Sequence, residues 1–334
     1  MRLKFLHLHL HGLIRSKNLE LGRDADTGGQ TQYVLELVKS LANTSEVDQV
    51  DLVTRLINDP KVDKEYSQKE EFVEPGVRIL RFKFGPNQYL RKELLWPYLD
   101  HFTESLISYY KKNKKPNFIH AHYADAGYVG VKLSKYLKVP LIFTGHSLGR
   151  EKKRKLIDTG LTTNQIEKLY SIRKRIEAEE KTLKSADIVV TSTNQESVIQ
   201  YSQYSSFSPH KAKVIPPGVD HKKFHHFHST TETAEIDNMM KPFLKDSTKP
   251  PLLTISRAVR RKNIPSLIEA YGRSEKLKRK TNLILILGCR ESTSKLDPQQ
   301  KDVFHNIFET IDKYNLYGKV AYPKKHLPSQ IPAL

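Results

Sequence analysis

The sequence is poor in cysteine and lacks long hydrophobic runs. Its 334 residues include one cysteine, Cys289, which excludes a disulfide framework and a cysteine-rich zinc site. A reducing, cytoplasmic compartment is therefore expected. No window approaches the roughly 18 consecutive apolar residues of a membrane helix, so no membrane partner is expected. Hydrophobic residues make up 38% of the chain and aromatic residues 9%, which is enough to form packed cores and argues against disorder.

The excess of basic residues is the strongest compositional signal, with a formal net charge of +19. Clustered cations are typical of nucleic-acid binding, of attraction for small phosphorylated substrates and of solvated helix faces. The sequence lacks aromatic–basic interleaving and any known nucleic-acid reader motif, so no nucleic-acid partner is expected. The basic runs lie at 111–115, 152–155, 260–262 and 276–280.

Apolar runs alternate with amphipathic segments over residues 1–220. This alternation predicts a parallel sheet with helices on both faces, which binds ligands at the carboxyl ends of its strands. The predicted strands are 3–10, 50–53, 77–82, 118–122, 140–144, 188–191 and 214–215, and the helix after the first strand includes 32–41.

A composition change follows at 221–250, which is rich in His, Thr, Lys and Pro and is predicted to be a linker. A second alternation then covers 251–334. Its few strands predict an incomplete second sheet with an unpaired edge and uncovered apolar surface, including Leu283, Leu285 and Leu287. The predicted strands are 252–255, 283–287 and 320–322, with helices at about 264–272 and 299–314.

Two glycines mark the turn between the first strand and its helix, in Gly28-Gly29-Gln30. They let the backbone approach a ligand closely, and the helix N-terminus offers free N–H groups to an anion. Asp24 and Asp26 just before them form a D-x-D pattern that suits magnesium. We discount a metal there, because no further ligands stand nearby.

Histidines alternate on two predicted strands, so each set shares one face. They allow a zinc or di-metal hydrolase site or, as we favour, histidines packed inside a sheet. No carboxylate ligand series accompanies them, so no metal is predicted. The residues are His7, His9 and His11 on one strand and His120 and His122 on the other.

Candidate reacting groups also follow strands in both halves of the chain. His146 ends the strand 141–144, and Lys152 follows about one and a half helical turns later. Arg257 and Lys262 follow the first strand of the second alternation, where cations oppose a helix dipole unless an anion binds. They could neutralise a leaving diphosphate.

These residues stand within motifs that resemble the sucrose-phosphate synthases over nearly the whole chain. The matching stretches are 11–15, 18–30, Lys92 with 95–97, 120–127, 145–150, 175–180, 215–220, 256–257 and 261–263.

The resemblance implies an α/β, GT-B-type fold with two Rossmann-like domains. Residues 1–220 would bind the acceptor and 251–334 would form part of the nucleotide-sugar domain. The implied reaction moves glucose from UDP-glucose or ADP-glucose to fructose 6-phosphate with retention of configuration. It requires no cofactor at the chemistry, although magnesium could stimulate it.

The resemblance also implies roles for individual residues. Gly28, Gly29 and Gln30 would line the cleft beside the donor diphosphate and the acceptor. The acceptor contacts would be Lys92, Tyr123, Ser147, Lys152 and Arg175. His146 would lie at the transferring glucose, and Arg257 and Lys262 would stabilise the departing diphosphate.

Two departures from the family pattern bear on activity. Val259 stands where the family has an acidic residue, and the family's E-P-F-G motif and second glutamate are expected shortly after Leu334. We therefore expect this chain to be impaired in catalysis, and the alternative is a non-catalytic remnant that binds sugar phosphate or a partner protein.

Overall fold

The computed structural model describes residues 2–225 and 230–334. Contacts within the chain divide it into two compact units, Met1–Pro217 and Gly218–Leu334. In the part of the chain that is described, no helix is both long and apolar enough to cross a bilayer.

The first unit is built on an eight-stranded sheet with strand order β3-β4-β2-β1-β5-β6-β7-β8. Neighbouring strands are parallel, except that β3 is antiparallel to β4. The strands are β1 (Leu3–Leu8), β2 (Val47–Arg55), β3 (Glu70–Glu74), β4 (Val77–Phe82), β5 (Phe118–His122), β6 (Leu141–Thr144), β7 (Ile188–Thr191) and β8 (Ala212–Val214).

Burial explains why the central strands could be predicted closely. Leu6 and Leu8 of β1 are fully buried, as expected for a strand covered on both faces by helices. The edge strand β3 escaped prediction, because its sequence Glu-Glu-Phe-Val-Glu is mostly charged and Phe72 is 70% exposed. The predicted α/β parallel architecture is confirmed for this unit.

Helices cover the sheet of the first unit. One close approach depends on glycine: a Cβ at Gly127 of α3 would lie 2.6 Å from the Thr182 hydroxyl of α6. The helices are α1 (Gly29–Ala42), α2 (Leu99–Lys112), α3 (Ala124–Leu137), α4 (Gly149–Asp158), α5 (Thr163–Tyr170) and α6 (Ile172–Ser185).

The second unit contains a parallel sheet of order β11-β10-β9. Its core packs the central strand against helices through residues such as Leu285, Ile268 and Ile307. The elements are α7 (Thr230–Met240), β9 (Pro251–Ile255), α8 (Ile264–Arg273), α9 (Glu275–Lys280), β10 (Asn282–Ile286), α10 (Pro298–Lys313) and β11 (Val320–Ala321).

The structure differs from two expectations for the second half. The segment 221–250 is not wholly a linker, because it contains α7, and Ile236 and Met240 pack in a cluster with Ile284 and Ile286 of β10. Hydrophobic burial thus anchors a stretch whose overall composition is polar.

The location of the uncovered apolar surface was also predicted wrongly. Leu283, Leu285 and Leu287 are at most 5% exposed, because helices cover the central strand. Within this sheet, exposed apolar side chains lie on the edge strand β9, where Leu253 is 40% and Ile255 is 45% exposed.

Candidate functional site

A pocket of mixed charge lies in the first unit. Three residues predicted as acceptor contacts, Lys92, Tyr123 and Arg175, line it together. The other lining residues are Glu93, Trp96, Asp125 and Tyr170. Tyr123 follows β5 and Lys92 follows β4, so the pocket lies towards the carboxyl ends of the strands, where ligands bind in parallel sheets.

Lys152 of α4 contacts two of the residues that line this pocket. Its Nζ lies 3.8 Å from Glu93 Oε1 and 3.8 Å from the ring centroid of Tyr170. Burial, followed by the nearby charges of Arg175 and Lys92, lowers the pKa of the Lys152 ammonium to about 8. An ammonium held among other cations gains most from a bound anion.

Two of the three guanidinium nitrogens of Arg175 are engaged in hydrogen bonds. Its Nε donates to Glu179 Oε1 at 2.9 Å, its Nη2 donates to Ser147 Oγ at 3.2 Å, and its guanidinium lies 4.4 Å from the Tyr123 ring centroid. Nη1 makes no hydrogen bond to any residue that the structure describes. Ser147, which was predicted as an acceptor contact, is therefore connected to the pocket by its hydrogen bond with Arg175.

Lys92 is fixed by Asp26. The Lys92 ammonium pairs with the Asp26 carboxylate, and the Lys92 backbone N–H donates to Asp26 Oδ2 at 2.8 Å. Burial acts to raise the Asp26 pKa, but His11, Lys92 and the hydrogen bonds from Lys92 outweigh it, so the pKa is lowered. Asp24 Oδ1 accepts the backbone N–H of Thr27 at 2.8 Å. Both carboxylates of the D-x-D pattern are thus used to order the loop.

The glycine turn leaves open space at the start of α1. A Cβ at Gly28 or Gly29 would meet nothing within 4 Å, so packing within the first unit does not require glycine there. Gln30 Nε2 is buried and has no hydrogen-bond partner in the described chain. Open space beside an unsatisfied amide donor suits a ligand group with an acceptor atom.

Two residues near the pocket have unusual backbone conformations. Tyr123 has φ 81° and ψ 169°, a region that glycine alone populates readily, and His146 has φ 55°. Such conformations cost on the order of 1–3 kcal/mol each and concentrate at functional sites. The surrounding contacts, including Arg175 against the Tyr123 ring and Tyr33 against the His146 ring, hold them in place.

The alternating histidines lie inside the sheet, as favoured from the sequence. Ring nitrogens of His7, His120 and His122 lie within 4.8 Å of one another, a spacing that could also hold a metal ion. His120 Nε2 lies 2.8 Å from Thr144 Oγ1, and His11 Nδ1 lies 2.8 Å from Asp125 Oδ2. The spacing of these three histidines therefore still allows the zinc alternative, although the group contains no carboxylate.

The second unit contains the two predicted leaving-group cations. Arg257 lies in the loop after β9, and Lys262 ends a short helical turn before α8. In the described chain neither side chain makes an ion pair, whereas neighbouring Arg260 pairs with Asp302 at 3.0 Å. Unpaired cations before a helix N-terminus remain compatible with an anion site.

Several residues at the site escaped the sequence analysis. Glu93, Trp96 and Tyr170 line the pocket, and Glu179 anchors Arg175. Trp96 and Glu179 stand inside stretches that carry the family resemblance, which was the available signal. Tyr170 carries no such signal, because only the packing of α5 brings its ring to Lys152.

The doubly wound sheet, with polar groups following β1, β4, β5 and β6, defines a Rossmann-like ligand-binding unit. A family model described as the first GT-B domain of sucrose synthase matches residues 3–225. The chain belongs to this family of GT-B glycosyltransferase domains.

Curated relatives agree with this family. The chain is 36% identical over 397 residues to a probable sucrose-phosphate synthase of Vicia faba, with 99% of this chain and 37% of the relative covered. It is 36% identical over 394 residues to sucrose-phosphate synthase of Spinacia oleracea, covering 97% and 37%. The chain thus spans a little over a third of the length of these relatives.

Solved structures agree on the fold. The sucrose-phosphate synthase of Thermosynechococcus elongatus matches with a TM-score of 0.69 at 24% identity, covering 99% of this chain and 72% of that one. HepE of Anabaena, solved in complex with UDP-glucose, matches with a TM-score of 0.57 at 14% identity, covering 99% and 71%. The GT-B fold class predicted from the sequence is confirmed.

Proposed function

We propose that the first unit binds fructose 6-phosphate as the acceptor of a sucrose-phosphate synthase reaction. Glucose from UDP-glucose or ADP-glucose would be transferred to this acceptor to give sucrose 6-phosphate. The family and the relatives' names support the reaction type, and the pocket supports a phosphorylated acceptor.

One observation carries the acceptor assignment. Lys152 and Arg175 bring unused hydrogen-bond donors to one pocket, since the nearest carboxylate to Lys152 is 3.8 Å away and Arg175 Nη1 has no partner among described residues. A phosphate offers three acceptor oxygens and negative charge, and it forms strong charge-assisted bonds with both groups. A neutral sugar would leave the repulsion between these cations in place.

The remaining residues take the roles implied by the family. His146 would lie at the transferring glucose, Gly28, Gly29 and Gln30 would leave room for the ligands, and Arg257 and Lys262 would neutralise the departing diphosphate. No cofactor is proposed at the chemistry, with magnesium at most a stimulator. A cytoplasmic location remains part of the proposal.

Calorimetric titration of the 334-residue chain tests the acceptor assignment. Fructose 6-phosphate should bind more tightly than fructose, and Lys152→Met should weaken it by about tenfold or more, since a hydrogen bond to a charged group contributes about 1.5–3 kcal/mol. Lys155→Met is the matched control, because Lys155 lies on the same helix with its side chain 67% exposed.

Three results would contradict the proposal. Equal affinity for fructose and fructose 6-phosphate would remove the phosphate site. Equal effects of Lys152→Met and Lys155→Met would reduce the role of Lys152 to general surface charge. Binding of glucose 6-phosphate or inorganic phosphate as tight as that of fructose 6-phosphate would show that the pocket recognises only the phosphate.

A further inference from the structure

Three buried imidazoles form a continuous chain that ends at His146. His7 Nδ1 lies 3.0 Å from His122 Nε2, and His122 Nδ1 lies 3.0 Å from His146 Nε2. His7 lies on β1 and His122 on the neighbouring strand β5, with their rings stacked at 5.3 Å between centroids. The sheet therefore connects a fully buried residue to a loop residue of the site through two hydrogen bonds.

Burial favours the neutral form of all three rings. Burial lowers the pKa of His7 to about 3 and lowers the pKa values of His122 and His146 well below the usual value. A neutral imidazole has one N–H donor and one bare nitrogen. The two hydrogen bonds can therefore be arranged in two ways. Donation runs either from His7 towards His146 or from His146 towards His7.

The environment of His7 selects between these arrangements. His7 Nε2 is buried and has no hydrogen-bond partner in the described chain. If the chain ran from His146 towards His7, the His7 proton would lie on Nε2 as a buried donor without an acceptor. Buried N–H groups without a partner are rarer in proteins than buried acceptors without one. The favoured direction therefore has His7 Nδ1–H donating to His122 and His122 Nδ1–H donating to His146 Nε2.

We propose that His7 and His122 are positioning residues that fix His146 as the Nδ1–H tautomer. With Nε2 accepting from His122, the remaining nitrogen of His146 is a hydrogen-bond donor for a ligand oxygen. The left-handed backbone of His146 and the edge-on ring of Tyr33, 5.2 Å away, restrict the same imidazole. A sugar hydroxyl as the acceptor of this bond rests on the proposed function, but the tautomer does not.

A metal ion is the competing occupant of part of this chain. A metal at His7, His120 and His122 would need bare nitrogens, and it would replace the hydrogen bond between His7 and His122. The hydrogen-bonded arrangement and the metal-bound arrangement therefore predict different proton positions on the same rings.

Nuclear magnetic resonance can read the tautomer directly. Two-bond correlation spectra of the full chain with 15N-labelled histidine, in buffer containing EDTA, distinguish protonated from bare ring nitrogens. His146→Gln assigns the His146 signals by their loss. We expect a protonated Nδ1 and a bare Nε2 for His146 in the unmodified chain. Once these signals are assigned, the tautomer is read from the unmodified chain without a bound substrate.

Variants test whether His7 sets the tautomer. His7→Leu removes the donor to His122 and should give His146 a mixture of tautomers. His7→Asn places an amide donor near the former Nδ1 and should restore the Nδ1–H form. His9→Leu is the matched control, because His9 directly follows the same strand, is equally buried, and has no hydrogen-bond partner for either ring nitrogen among the described residues.

An activity assay and a binding assay together distinguish a wrong tautomer assignment from a wrong proposed function. In a glucose-transfer assay, His7→Leu should lower kcat by on the order of tenfold or more with little change in the KM for the acceptor, since a wrong histidine tautomer is costly in catalysis. A protonated Nε2 on His146 in the unmodified chain would overturn the inference. An unchanged His146 tautomer in a folded His7→Leu variant would also overturn it. So would stoichiometric binding of Zn²⁺ in place of EDTA, if it changes the ring-nitrogen signals of these histidines. The Nδ1–H tautomer in a chain that does not bind fructose 6-phosphate would leave the inference standing and would count against the proposed function.

Discussion

Glu179 anchors Arg175 one helical turn away, and both side chains are almost fully buried. The Oε1 atom of Glu179 accepts from Arg175 Nε at 2.9 Å, and its carboxylate also accepts from the Gly149 backbone N–H and the Tyr204 hydroxyl. The carboxylate thus joins α6, the start of α4 and the segment after β7. Its charge balances Arg175, and Nη1 of Arg175, which makes no hydrogen bond to a described residue, remains available at the pocket.

Removing this carboxylate should destabilise the protein strongly. Glu179→Leu leaves the Arg175 cation buried without a counter-charge, which typically costs about 3–5 kcal/mol. Urea unfolding followed by circular dichroism measures the change. The double variant Glu179→Leu with Arg175→Met should be more stable than Glu179→Leu alone, because it removes the uncompensated charge. Additive losses in the double variant would contradict the charge argument.

A second prediction concerns Lys152 and pH. The folded pKa of about 8 lies below the ordinary value of 10.5, so the unfolded chain binds more protons between these values. This proton difference makes the Lys152 contribution to the free energy of unfolding rise with pH from about 8 to 10.5. Below pH 8 the buried ammonium costs on the order of 2 kcal/mol, so Lys152→Met should stabilise the chain near pH 7.

The stability difference between Lys152→Met and the unmodified chain isolates this group from the other titrating residues. It should shrink as the pH rises through the stated window. Lys155→Met should show no such trend. A constant difference from pH 7 to pH 10 would mean that Lys152 is not destabilised by its surroundings in the fold.

Strands that are buried inside a sheet are predictable from the sequence, whereas elements held by distant partners are not. The strands Val77–Phe82, Phe118–His122 and Ile188–Thr191 were predicted to the residue, because apolar residues buried in the sheet mark each of them. The helix Thr230–Met240 was missed, since two apolar anchors in a polar stretch carry no periodic signal. Edge strands, and this helix, depend on packing partners that are distant in sequence.

The features of the site also differ in how far the sequence predicts them. The family motifs predicted Lys92, Tyr123 and Arg175, which the fold brings to one pocket. The direction of the histidine chain could not be read from the sequence, because it depends on the pairing of β1 with β5 and on the unpartnered Nε2 of His7. Motifs predict which residues meet a ligand, whereas hydrogen-bond direction requires coordinates.

Two glycines on helices of the first unit should respond oppositely to alanine. Gly127→Ala places a Cβ 2.6 Å from Thr182 Oγ1 and should cost about 1–3 kcal/mol of unfolding free energy by overpacking. Gly29→Ala meets nothing within 4 Å and should leave stability unchanged or raise it by up to about 1 kcal/mol. Thermal unfolding compares the two. If Gly29 leaves room for substrate, its variant should nevertheless bind UDP-glucose more weakly, and unchanged affinity would remove Gly29 from the proposed site.

The last prediction concerns the second unit. If Lys262 stabilises a departing diphosphate, Lys262→Ala should lower kcat for glucose transfer by on the order of 100-fold, because the charge it neutralises develops in the transition state. The KM for the nucleotide sugar should change far less. UDP carries the same diphosphate as a product, so its affinity, measured calorimetrically on the 334-residue chain, should also fall. Arg260→Ala is the matched control, since Arg260 already pairs with Asp302 at 3.0 Å. Equal losses of UDP affinity in both variants, or no loss in Lys262→Ala, would return Lys262 to the role of a solvated surface charge.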